Sequence, residues 1–420
     1  MDKLIIQGGH ELYGNIQVAG AKNAALPLMA AAVLAPGKTT LSNVPRLVDV
    51  GTMGRVLANL GLEVEHDRDA GTMSLDAANL TSDTAPYELV KTMRASFYAL
   101  GALIGRLRKG KVSLPGGCAW GPRPVDIHMK GFEAMGVSID LDEGYVVADA
   151  ANIHGTNFVL SFPSVGATVN LLLVAATIPE ETVLDNVARE PEVTALVRML
   201  QQMGATIEGT GTSTLRIVGT RDLKPVQQAV IPDRIEAGTY LAAVGMTGGE
   251  IVLKGAEPEH LTMVIAKSVE AGLHVTVTVD GIRVKRNGEL RPVDVETAVY
   301  PGFATDMQAQ WIALMSMANG ASFVTDTIYP DRFTHVAELM RLGAKVTMKE
   351  NVAKVQGPSK LKGAPVMSTD LRASACLVLA GLAAEGETHI SRIYHLDRGY
   401  EKLEDKLRAL GAIIDRVGER

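Results

Sequence analysis

The stretch Leu114–His128, LPGGCAWGPRPVDIH, gathers the groups best suited to chemistry. Three Gly and three Pro bracket one Cys and one Arg, so it reads as a mobile loop rather than the interior of a helix or strand. A thiol on such a segment, with Arg123 and His128 close by in sequence, meets the conditions that lower its pKa and make it reactive. Cys376, by contrast, stands in the apolar run SACLVLAGL and reads as a buried, inert thiol. A second set of groups is basic and opens apolar runs: Lys22-Asn23 in AGAKNAALP, Arg94 in KTMRAS and Arg372 in TDLRAS. Ser164-Val165-Gly166 and Thr305-Asp306 open equivalent runs. Helix starts present unpaired N–H groups and a positive dipole end, which together hold anions. A single Lys or Arg is usually a solvated surface charge. Recurrence at one position of several repeats is what gives these a purpose.

Other chemistries find little support. There is no phosphate-binding Gly-x-x-x-x-Gly-Lys-[Ser/Thr] loop, and Gly209-Thr-Gly-Thr-Ser-Thr lacks the last Gly of a dinucleotide fingerprint. Neither His-Glu-x-x-His nor Cys-x-x-Cys occurs, so no metal and no cofactor is expected. His128, an isolated histidine, reads as structural or as a substrate contact.

These groups must be positioned by elements, and the elements repeat. The tail KLEDKLRALGAIIDR is an amphipathic helix, a glycine at Gly411 and a short β-branched run. The same ending recurs at Gly61, Gly136, Gly204, Gly272 and Gly343, at spacings of 75, 68, 68, 71 and 68 residues up to Gly411. The pattern is a helix, a left-handed glycine cap, then a strand. Upstream of each glycine lies an Ala-rich helix, apolar nearly all round and therefore buried, then a tight turn and an alternating strand. Six units of strands and two helices follow, with helices inside and sheets outside.

The chain has 420 residues, too many for one core, so a three-plus-three division is natural. One domain is expected over 22–231, with the cysteine loop 114–128. The other is discontinuous, 1–21 with 232–420, the first residues lending a strand to the last unit. Two crossings between domains make a hinge, with a cleft as the expected ligand site. Apolar residues reach 47% but aromatics only 4%, so the cores are built from Ala, Val, Leu, Ile and Met. A net charge of -6 without any basic block argues against nucleic acid as a partner. The start has no secretory pattern, the longest apolar run, Ala24–Pro36, is too short to span a membrane, and two cysteines suit a reducing compartment. A soluble, cytoplasmic protein is expected, with no obligate protein partner evident.

The ordered motifs AGAKNAALP, KTMRAS, LPGGC…RPVDIH, SVGAT, AREPE, PDRIEAGT, FATDMQAQ, DRFTH, TDLRAS and HLDRGYE resemble the UDP-N-acetylglucosamine 1-carboxyvinyltransferase family over the whole chain. The resemblance implies an α/β fold of two inside-out α/β barrel domains, with six βαβαββ repeats, three per domain. It implies enolpyruvyl transfer from phosphoenolpyruvate to the sugar 3′-hydroxyl, the first committed step of peptidoglycan precursor synthesis. Carried over by position, Cys118 matches the family's proton donor and the target of fosfomycin. Lys22 and Asn23 match phosphoenolpyruvate contacts, and Arg123 and Arg398 further anion clamps. Asp306 matches the carboxylate near the 3′-hydroxyl. Arg94, Arg123-Pro124-Val125-Asp126-Ile127, Ser164-Val165-Gly166 and Ile328 match uridine-nucleotide contacts, and Arg332, Asp370 and Arg372 a charged ring around the reacting centre. The chain departs from the family pattern at Trp120 and Pro122, at Phe162-Pro163 before SVGAT, and at Tyr329-Pro330. A sister enzyme acting on shikimate 3-phosphate and an idle paralogue with a binding role are the rival readings.

Overall fold

The computed structural model describes residues 2–114 and 125–418. Each repeat folds as βαβαββ around one four-stranded sheet. In the third, Asn157–Val159 runs parallel to Glu181–Asp185, which pairs antiparallel with Thr214–Val218, and Thr206–Glu208 closes the edge. The helix Val165–Ala175 makes the crossover that a parallel pair needs. The helix Pro191–Met203 then leads to the edge strand. Alternation decides the faces: Leu215 and Ile217 point inward, Arg216 and Val218 outward. Among the described residues there are six such sheets, all open, so the expected barrel is not closed.

Each repeat turns from its second helix into its next strand through a glycine. Gly61, Gly136, Gly204, Gly272, Gly343 and Gly411 have φ of 109°, 82°, 119°, 103°, 99° and 100°, the left-handed region where a Cβ is strained.

Sheet edges join distant parts of the chain. Asp2–Gln7 inserts between Glu387–Ser391 and Ile413–Gly418, antiparallel to both, in the last repeat's sheet. Leu12–Gln17 pairs in parallel with Gly249–Lys254 of the fourth repeat. Gln227–Ala229 returns to lie parallel to Lys38–Ser42 of the first. The chain divides into two compact units, one of them Gly20–Ile231, the other made of the residues before Gly20 and those from Pro232 onward. Gly20 and Ala21 thus group with the first unit. At the crossings Ala21 donates to the Ile231 carbonyl at 2.7 Å and Asp233 to that of Ala19 at 2.8 Å.

Each unit has its own core. In Gly20–Ile231 the helix Tyr98–Leu107 packs on both Lys22–Ala31 and Val165–Ala175. A Cβ at Gly105 would stand 2.9 Å from the Leu173 carbonyl oxygen, so a bare glycine is what lets two of these helices meet. In the other unit Arg234–Thr247, Gln308–Met315 and Leu371–Ala383 pack on one another and are buried along nearly their whole length.

Candidate active site

In the second unit the short helix Thr305–Met307 runs into Gln308–Met315 and presents Asp306 at the junction. Its carboxylate is held from both sides. Arg332 Nη1 donates to Oδ1 at 2.8 Å and Arg372 Nη2 to Oδ2 at 2.7 Å. Arg372 stands in the first turn of Leu371–Ala383, whose start is capped by Asp370: its Oδ1 accepts from the backbone of Arg372 at 2.9 Å and of Ala373 at 3.2 Å. Asp370 therefore positions Arg372. The Arg372 guanidinium also lies over the Tyr400 ring, 5.4 Å from its centroid. Tyr400 in turn shares a hydrogen bond of 2.9 Å with the Thr239 hydroxyl and accepts from Gln310 Nε2 at 3.1 Å. Arg398, half-buried, ends the short helix Ile393–Arg398 two residues before that ring.

A fully buried carboxylate, Asp326, organises the other flank. Asp326 Oδ1 accepts from the Thr297 hydroxyl at 2.8 Å and from the backbone of Ile328 at 3.0 Å and Tyr329 at 2.8 Å. Its Oδ2 accepts from the Thr305 hydroxyl at 2.7 Å, and Thr305 Oγ1 accepts from Arg332 at 3.1 Å. One side chain thereby fixes the neighbour of Asp306 and the backbone of Ile328.

The electrostatics of Asp306 follow from this frame. Burial alone would push its carboxyl up. Arg372 and Arg332 outweigh that and hold it well below the usual carboxylate range. Burial would likewise lower Arg372, and the Asp306 charge reverses the sign and raises it. So clamped, Asp306 is an ionised acceptor of low basicity.

In the Gly20–Ile231 unit, Lys22 and Asn23 occupy the first turn of Lys22–Ala31, and Lys22 Nζ lies 3.2 Å from Asp49 Oδ2. Asp49, buried in the first turn of Val48–Asn59, balances the ammonium. Ser164 caps Val165–Ala175, its hydroxyl accepting from the Ala167 backbone at 3.3 Å, so Val165 and Gly166 form the first turn. Arg94 begins the short helix Arg94–Phe97.

The loop reading of 114–128 fails at its end. Asp126–Ala134 is a helix, so Asp126, Ile127 and His128 lie in its first turn and Val125 is its cap residue. The Gly and Pro residues just before it conceal this helix start in the sequence. Cys118, Arg123 and Pro124, with Trp120 and Pro122, lie outside the described residues. Sequence reasoning also passed over Asp49, Asp326 and Tyr400. Asp49 left one signal, an acid between Val48 and Val50 at a helix start. Among the described residues no group of three or more His, Cys, Asp or Glu could hold a metal ion, and no helix is long and apolar enough to cross a membrane.

Residues 6–407 match the family model of EPSP synthase (3-phosphoshikimate 1-carboxyvinyltransferase). The chain is 51% identical to the UDP-N-acetylglucosamine 1-carboxyvinyltransferase of Trichlorobacter lovleyi over 420 residues, all of both chains. It is 50% identical to that of Geotalea uraniireducens over 419 residues, again all of both. Among solved structures it resembles the enolpyruvyl transferase NikO from Streptomyces tendae, with a TM-score of 0.89 and 28% identity over 99% of this chain and 98% of that one. EPSP synthase from Acinetobacter baumannii, at 16% identity and a TM-score of 0.78 over the whole of both chains, shares the fold. With half its residues identical to such relatives from end to end, on the same six-repeat fold, the chain belongs to the UDP-N-acetylglucosamine 1-carboxyvinyltransferase family of enolpyruvyl transferases.

Proposed function

We propose that this protein transfers the enolpyruvyl group of phosphoenolpyruvate to the 3′-hydroxyl of UDP-N-acetylglucosamine and releases phosphate, the first committed step of peptidoglycan precursor synthesis. The observation that carries the reading is the Asp306 carboxylate between Arg332 and Arg372, a base beside two anion-holding cations. The step balances as an addition and an elimination. The 3′-oxygen gives its proton to Asp306 and bonds to C2 of phosphoenolpyruvate while C3 takes a proton from Cys118. The C2–O bond to phosphate then breaks with its electron pair leaving on phosphate, C3 gives a proton to the Cys118 thiolate as the vinyl group reforms, and Asp306 passes its proton to the departing phosphate. Neither half changes an oxidation state.

The remaining residues take the roles that the family resemblance assigns. Lys22, Asn23, Arg123 and Arg398 hold the anionic groups of phosphoenolpyruvate, with helix starts adding fixed dipoles. Arg94, the segment Arg123-Pro124-Val125-Asp126-Ile127, Ser164-Val165-Gly166 and Ile328 hold the nucleotide. Arg332 and Arg372 have a second task, because releasing Asp306 turns it from an anchor into a base. The reaction runs in the cytoplasm.

Fosfomycin, an epoxide phosphonate of similar charge, alkylates Cys118 and spares Cys376. Peptide mapping after treatment reads this directly. Cys376 is fully buried and its thiol is pushed well up by burial, so it lacks the thiolate needed for attack. Phosphate release tests the reading as a whole. Turnover is expected with UDP-N-acetylglucosamine and not with shikimate 3-phosphate. The reverse preference would move the protein to the sister activity, and release with neither would leave only a binding role.

A further inference from the structure

His128 is left without a task by the reaction above, yet it sits where three of the nucleotide-contact segments meet. It lies in the first turn of Asp126–Ala134, directly after Val125, Asp126 and Ile127, and is 7% exposed. Its ring packs edge-to-face on Phe97, with centroids 5.4 Å apart at 75°, and Phe97 ends the short helix that Arg94 begins. Its Nδ1 lies 2.8 Å from Asn170 Nδ2, on the helix that Ser164 caps. Its far edge rests on the first turn of that same helix: a Cβ at Gly166 would stand 3.3 Å from both Cε1 and Nε2. The bare glycine leaves room for the ring.

The hydrogen bonds also assign the tautomer. Asn170 Oδ1 accepts from the Gly101 backbone at 3.1 Å and Nδ2 donates to the Phe97 carbonyl at 3.3 Å, which fixes the orientation of the amide. Facing Nδ2, the ring nitrogen Nδ1 must accept, so the neutral imidazole carries its proton on Nε2, the edge beside Gly166. Burial, aided by the Arg94 charge, pushes His128 down to about 3 and keeps the ring neutral at physiological pH, against the opposing pull of Asp126. A protonated ring would turn a second N–H onto the Asn170 amide and add a cation beside Arg94.

We propose that His128 is a positioning residue for the nucleotide site, a neutral ring that holds the segments of Arg94, Val125–Ile127 and Ser164–Gly166 in one register. The inference rests on the reading of those segments as nucleotide contacts. Its signature is selective, since these segments serve the sugar nucleotide and not phosphoenolpyruvate.

The test is calorimetric binding of UDP-N-acetylglucosamine to the whole protein, with KM for each substrate, in wild type, His128→Leu and His128→Asn. In His128→Leu nucleotide affinity should fall about tenfold while the phosphoenolpyruvate KM stays within about twofold, the size expected when one buried amide loses its acceptor. Asparagine places an oxygen near the position of Nδ1, so His128→Asn should recover most of that loss. A merely structural histidine would weaken both substrates alike and would not be rescued. Equal losses, no rescue, or unchanged nucleotide affinity in His128→Leu would each overturn the proposal. If His128→Leu fails to fold, Phe97→Leu removes the ring's edge-to-face partner and should give the same selective loss; an even loss would again refute it. Arg94→Ala and Ser164→Ala separate the two layers of inference. If they leave nucleotide affinity intact, the reading of the site falls and takes His128 with it. If they weaken binding and the His128 variants do not, only the role of His128 is lost.

Discussion

A carboxylate between two guanidinium groups can serve as an anchor or as a base, and the two roles leave different kinetic traces. The proposed reaction requires both of Asp306, in sequence: anchored by Arg332 and Arg372 as the structure has it, then basic once substrate anions compete for those arginines. Asp306→Asn keeps the shape and removes the proton acceptor. Turnover should fall about 10²–10⁴-fold, the usual worth of a positioned general base, while UDP-N-acetylglucosamine affinity measured without phosphoenolpyruvate changes far less. Equal losses in both would make Asp306 a binding residue only. Arg332 and Asp370 came only from the family resemblance, whereas Asp306 and Arg372 were legible in the sequence because both stand at the starts of apolar runs. Their pairing was not. Arg372 reaches Asp306 across 66 positions of sequence, and Tyr400 and Asp326 act through contacts that no spacing encodes.

At the scale of elements, the helix–glycine–strand joint is the device repeated through the molecule, and two of its six copies differ in a way that can be measured. Gly204 has φ 119° and open space around it, with the Thr220 methyl at 3.7 Å as its near neighbour. Gly136 has φ 82°, and a Cβ there would stand 2.5 Å from the Asn152 carbonyl oxygen. Gly204→Ala should therefore cost only the left-handed strain, about 1–2 kcal/mol. Gly136→Ala should cost roughly 1–3 kcal/mol beyond that, because backbone must move to admit the methyl. Denaturant midpoints of the two variants check this, and equal costs would mean that the joint at Gly136 is looser than its geometry. These joints were readable because a cap is local: the helix period, the glycine and the β-branched run sit within a dozen residues. Two other features were not. The pairing of Gln227–Ala229 with Lys38–Ser42 joins segments almost 190 residues apart, and nothing in either short strand names its partner. The helix start at Asp126 was hidden for the opposite reason, a run of turn-forming residues that ends just before it.

Over the whole molecule, one βαβαββ plan used six times supplies six inner helices, and the family resemblance spreads the candidate site residues among their starts rather than on a single loop. Repetition made the architecture legible from sequence, since six copies of a weak local signal amount to a strong one. The sheet of the last repeat keeps the same plan by taking one strand, Asp2–Gln7, from far away in the sequence. What repetition cannot supply is the difference between copies, the Lys22–Asp49 pair in one and the Asp306 clamp in another. The proposed reaction is an addition–elimination at the sugar 3′-oxygen. Nuclear magnetic resonance of the product formed in D₂O from UDP-N-acetylglucosamine and phosphoenolpyruvate tests it most directly. The expected product is a vinyl ether on the 3′-oxygen with deuterium in its methylene from the protonation of C3, formed with release of one phosphate. A vinyl ether free of deuterium, attachment at another oxygen, or no product at all would contradict it.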